Sequence, residues 1–110
     1  MTHDNRVILT GRVAKTAQRS YRPDGSSVTQ FLLELNDPEG LSSRSGRSLI
    51  DIVAFDPVAE SMLDHLQKDQ FLRVEGRLRQ RRWQTPEGKS RSRVEVIATD
   101  LRIMKGDEPN

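Results

Sequence analysis

The stretch Phe71–Trp83 carries arginine at positions 73, 77, 79 and 81, Glu75 among them, and the only tryptophan of the chain at its end. In a strand, side chains two apart share a face and repeat about every 7 Å. An unbroken strand therefore sets Phe71, Arg73, Glu75, Arg77, Arg79, Arg81 and Trp83 in one row, with Leu72, Val74, Gly76 and Leu78 on the opposite face. Guanidinium groups fork onto phosphate oxygens and stack on bases. An indole is a plate on which a base stacks for about 1–3 kcal/mol with little regard to sequence. Such a row can follow an extended phosphodiester. The competing reading is a solvated strand whose tryptophan covers apolar surface, and a bulge at Gly76 would break the alternation.

Other residues suit the same chemistry. Phe55 shares a face with Leu49, Asp51 and Val53, and periodicity fits it to the core as well as to stacking. Tyr21 and Arg22 adjoin a turn, Arg82 adjoins Trp83, and Lys89 lies in a second turn. Catalysis finds little support. Of two histidines, His3 lies in an expected disordered start and His65 on a short helix. Glu34, Asp51, Glu75 and Glu95 show no two-metal spacing, and Gly40 and Gly46 lie in a polar loop that is no phosphate cradle. With no cysteine there is neither a disulfide nor a thiolate metal site. The expectation is a binding protein without metal or cofactor, not an enzyme.

The elements that must position these residues follow from the pattern. Residues 5–15 read as a first strand, Val7, Leu9 and Val13 alternating with Arg6, Thr10 and Arg12. Tyr21–Gly25 is a proline–glycine turn. Val28–Leu35 is a second strand, residues 36–48 a mobile polar loop, and Leu49–Phe55 a third strand. Asp56-Pro57 opens a helix, the carboxylate as N-cap and proline at the first helical position, with Val58, Ala59, Met62, Leu63 and Leu66 as its apolar stripe. Phe71 to about Trp83, a turn at Thr85–Lys89 and Arg91–Met104 form a hairpin. Three strands, a helix and a hairpin give an all-β class with one short helix, in the order of the OB-fold, a five-stranded Greek-key barrel. Residues 1–104 read as one domain, and 105–110 as a short disordered tail.

Composition agrees. Apolar residues make up 34% of the 110 and charged residues 31%, which suits a small core under a heavily solvated surface. The net charge of +2 is uninformative, but its distribution is not. Residues 31–72 hold eight acids and three bases, residues 73–93 eight bases and two acids, and arginine outnumbers lysine fourteen to four. The start shows no signal-peptide pattern and no apolar run approaches the ~20 residues that cross a bilayer, so a cytoplasmic, non-membrane protein is expected.

Asn5–Val13, Tyr21–Gly25, Phe55–Glu60, Lys68 with Val74–Leu78, and the hairpin from Arg82-Trp83 through Glu87-Gly88 to Val94–Val96 together resemble the bacterial single-stranded-DNA-binding proteins. The resemblance spans residues 5 to 104. It implies an OB-fold, a homotetramer built on dimers through the first strand or a dimer in relatives, single-stranded DNA as ligand, and replication or primosome proteins as further partners in replication, recombination or repair. It places Trp83 and Phe55 at stacking positions. Two usual stacking tryptophans are absent: Leu49 replaces one, and Leu35–Asp37 offers no counterpart to the other. Asp56-Pro57 also stands where the family has glycine. The departures imply heavier reliance on arginine. Family members usually continue into a glycine-rich linker and an acidic tip, which this sequence lacks. This is either a tail-less relative or the core of a longer protein; the tail-less relatives typified by primosomal replication protein N, with the same fold and usually a dimer, hold the Trp83 and Phe55 positions less well and are the second resemblance. Preference for DNA over RNA rests on the resemblance alone, because stacking and phosphate contact do not read the sugar.

Overall fold

The computed structural model describes residues 4–35 and 48–105. The polar loop, except Ser48, His3 and the tail beyond Lys105 lie outside the described residues. Strands β1 (Val7–Tyr21), β2 (Ser27–Leu35), β3 (Leu49–Phe55), β4 (Phe71–Gln84) and β5 (Ser90–Ile103) close a barrel in the order β1-β2-β3-β5-β4. Every pairing is antiparallel except β3 with β5, which run parallel through Asp51↔Glu95, Ile52↔Val96 and Val53↔Ile97. This is the five-stranded Greek-key barrel that the pattern predicts, the OB-fold.

Alternation builds the core. Val13, Phe31, Leu33, Ile52, Ala54, Leu72, Val74, Val96, Ala98 and Leu101 point inward and are buried. Two glycines let strands pass closely. A Cβ on Gly11 would overlap the carbonyl oxygen of Glu34, and one on Gly76 would overlap that of Ile97 while lying 2.9 Å from Val96 Cγ1. One inward polar atom is orphaned: the buried Thr29 Oγ1 has no hydrogen-bond partner among the described residues.

Both turns form as expected. Gly25 (φ 91°) closes β1 onto β2 with its amide on the Arg22 carbonyl, and Ser26 N–H donates to Asp24. Gly88 (φ 85°) closes β4 onto β5 with its amide on the Thr85 carbonyl. Both glycines occupy the left-handed region that side chains resist.

The structure corrects three details. β1 runs on to Tyr21 rather than ending near Lys15; Thr16–Ser20 lack alternation, but Gln18, Arg19 and Ser20 pair with β2 after two register shifts that bend the strand. The helix is only Asp56–Ala59 (α1), followed by a 3₁₀ segment over Glu60–His65. Asp56 is its first residue, not its N-cap; Phe55 holds that position without a side-chain cap. The Asp56 carboxylate instead reaches β2, where the Ser27 amide (3.0 Å) and hydroxyl both donate to it. The stripe packs as predicted: Ala59 and Leu66 are buried, with Val58, Met62 and Leu63 against the core.

Candidate nucleic-acid interface

β4 keeps its alternation, because the irregularity near Gly76 falls on its partner. Glu75 pairs with Asp100 and Gly76 with Ala98, leaving Thr99 as the extra residue of β5. The Thr99 hydroxyl donates to the Glu75 carbonyl at 3.1 Å. Up to Gly76, β4 lies between β1 and β5; beyond it, β4 pairs with β5 as a hairpin arm whose residues 77–84 are exposed.

Counting across the ladders gives the outward face of this sheet. One row runs Asp51–Glu95–Arg79 and the next Val53–Ile97–Arg77, with Arg81 opposite Arg93 and Trp83 opposite Arg91 along the arm. Phe55 ends β3 on the same side, opposite Val28. Val53 and Ile97 are buried on this face, opposite the inward Ile52 and Val96, and form its apolar floor. Across β2 the face continues to a furrow of about 180 Å³ lined by Lys15, Gln18, Gln30, Leu32 and Asp51.

Each aromatic candidate already carries an arginine. The Arg81 guanidinium lies 4.6 Å from the Trp83 ring centroid, Arg22 lies 4.5 Å from that of Phe55, and Arg19 lies 5.3 Å from that of Tyr21. Tyr21 and Trp83 are exposed, while Phe55 is half-buried. Arg19 also approaches Asp56 at 3.9 Å and donates to the Ser27 hydroxyl at 3.0 Å. The Ser27 hydrogen bonds, with Arg19 and Arg22 nearby, hold the Asp56 carboxyl below the usual carboxylate range.

The arginine row is less free than its spacing suggests. Arg79 donates to Glu95 at 2.7 Å, Arg81 lies 3.6 Å from the same oxygen, and Arg73 lies 3.7 Å from Glu75, which Arg6 holds at 2.8 Å. Arg77 has no ion pair among the described residues. Of the other candidates, Arg82 points to the opposite face of the arm and bonds Gln80, and Lys89 lies at the hairpin turn. The face therefore gathers Phe55, Arg22, Arg77, Arg79, Arg81 and Trp83. It leaves Arg82 and Lys89 aside, and Arg73 on the part of β4 that pairs with β1. Sequence reasoning missed Arg91 and Arg93, although their period-two spacing toward Glu95 mirrors the β4 row. Among the described residues no cluster of His, Asp and Glu could hold a metal ion, and no helix is long and apolar enough to cross a membrane.

A closed OB barrel with one basic, aromatic-edged sheet face defines a nucleic-acid-binding module. Residues 4–104 match the model of the single-strand binding protein family. The chain belongs to that family, whose members are DNA-binding proteins and not enzymes. The single-stranded DNA-binding protein of Thermotoga maritima is 33% identical over 107 residues, covering 94% of this chain and 76% of its own length. That of Treponema pallidum is 33% identical over 106 residues, covering 94% of this chain and 60% of its own. Among solved structures, the dimeric N-terminal domain of PriB protein from Thermoanaerobacter tencongensis superposes with a TM-score of 0.68. At 21% identity, it covers 92% of this chain and 97% of that one, a likeness of fold.

Proposed function

We infer that this chain binds single-stranded DNA without strong sequence preference. Bases stack on Trp83 and Phe55 while Arg77, Arg79, Arg81, Arg91 and Arg93 meet the phosphates. The observation that carries the reading is the register that sets Trp83 opposite Arg91 and Arg81 opposite Arg93 on one outward face. Family membership supports DNA as the ligand. Flat rings at the ends of a row of guanidinium groups suit a strand whose bases are free to stack, whereas a duplex hides those faces. Tyr21 and Arg22 extend the contact at the Phe55 end. We further propose that the chain works as a homo-oligomer, a tetramer before a dimer, in the cytoplasm of a bacterium. Its place is in DNA replication, recombination or repair, with replication or primosome proteins as partners.

Titration with poly-dT, read by Trp83 fluorescence at several salt concentrations, tests the binding. The expected result is quenching on stacking and an affinity that falls as salt rises. A titration that shows no quenching and no salt dependence would refute it. Poly-rU in the same assay tests the sugar preference, and light scattering the oligomer.

A further inference from the structure

The centre of the face carries acid where phosphate would approach. Glu95 is 2% exposed, and its Oε1 lies 2.7 Å from Arg79 Nη2 and 3.6 Å from Arg81 Nε. Asp51, its neighbour across the β3–β5 ladder, lies 3.6 Å from Arg93. Three guanidinium groups against two carboxylates leave this cluster a formal charge of +1. The cations stay reachable, with the side chains of Arg79, Arg81 and Arg93 46%, 42% and 53% exposed. Burial keeps Glu95 beneath them, so a ligand meets the arginines and not the acid.

This geometry has two effects. The carboxylate fixes where the guanidinium groups sit, Arg81 over Trp83 included. It also answers part of their charge, so a phosphate arriving there gains less attraction and releases fewer counterions than three free arginines would give.

We propose that Glu95, with Asp51 beside it, limits the affinity of this face for single-stranded DNA by acting through Arg79, Arg81 and Arg93. Both are positioning residues: they hold the cations in place and discount their pull, so charge at the centre holds the strand less than three arginines suggest. The inference rests on the reading of this face as the DNA site.

Glu95→Gln keeps the side chain's size and an acceptor oxygen while removing the charge. Asp51→Asn does the same at a residue whose side chain is 33% exposed, where folding is less at stake. Asp64→Asn, on the exposed side of the 3₁₀ segment, makes the same change of net charge away from the face. A unit charge about 7 Å from a phosphate in a water-like medium is worth on the order of threefold in affinity. Poly-dT should therefore bind each of the first two variants roughly threefold more tightly at low salt. The salt slope should steepen by up to ~0.7 per guanidinium released to a phosphate. Asp64→Asn should change neither. A merely structural Glu95 would weaken binding and leave the slope alone. That result in a variant that melts cooperatively, or no change with Asp51→Asn, overturns the proposal; if Glu95→Gln does not fold, Asp51→Asn decides it. Failure of the unaltered chain to bind poly-dT would instead overturn the assignment of the face.

Discussion

Trp83→Ala offers a direct measure of how the arm works. The ring is 37% exposed and lies on the hairpin arm outside the core, so its loss should leave thermal stability close to that of the parent chain. Stacking of one base is worth about 1–3 kcal/mol. The ring is not idle in the free protein, however, because Arg81 lies over it at 4.6 Å. A cation–π contact at an exposed site is worth about 0.5–1 kcal/mol. If the base takes the face that Arg81 covers, that contact is given up on binding, and the net loss on removing the ring is about 0.5–2 kcal/mol. This is roughly a 2- to 30-fold increase in Kd. Because the indole is absent from the variant, the assay is fluorescence anisotropy of a labelled oligo-dT. The same loss should appear at each salt concentration, since Trp83 meets no phosphate. An affinity within twofold of the parent would refute the stacking role, and a changed salt slope would refute the division of labour between ring and guanidinium. In Arg81→Ala the cost of Trp83→Ala should grow, because nothing then competes for the ring.

Other consequences concern the scaffold. Gly76→Ala puts a Cβ into the Ile97 carbonyl, an overpacking worth about 1–3 kcal/mol, so melting followed by circular dichroism should fall by roughly 5–20 °C. Thr29→Val removes the orphaned buried hydroxyl and should raise stability by about 1 kcal/mol in urea unfolding; destabilisation would mean that the hydroxyl is satisfied in solution. The Asp56 carboxyl is held below its ordinary value of 3.8 in the folded chain. It therefore contributes stability above that value, which is lost as pH falls through the folded-state pKa. Ser27→Ala removes the hydroxyl that contributes most, so its melting deficit should be full at neutral pH and shrink below pH 3.8; a deficit that ignores pH would contradict the assignment.

Much of the fold could be read from alternation. The order of elements, the two glycine turns and the β4 row needed only a period of two and turn chemistry. The extent of β1 could not be read, because Thr16–Ser20 carry no apolar signal and owe their strand form to the ladder with β2. Nor could the role of Asp56: Asp-Pro before an apolar stripe looks like a cap, yet its partner Ser27 lies 29 residues away. The ion pairing of the arginine row was available in principle. Counting outward from Thr85–Lys89 puts residue 79 opposite 95 and 81 opposite 93, which pairs the row with Glu95 and exposes Arg91 and Arg93. What no count provides is the depth of Glu95, since the strand crosses from barrel to arm there and burial changes within a residue or two.

Among the described strand pairings, the parallel join of β3 to β5 is the shortest, with three residue pairs against thirteen for β4 with β5. It includes the acidic pair Asp51 and Glu95, in the middle of the outward face. If the barrel breathes, this join is where the fewest hydrogen bonds hold it. A strand of DNA that touches Phe55 on one side and the arm on the other would span it like a clasp. Binding would then slow the exchange of amide hydrogens at the join itself, and the opening of the barrel and the release of the ligand would be two views of one event.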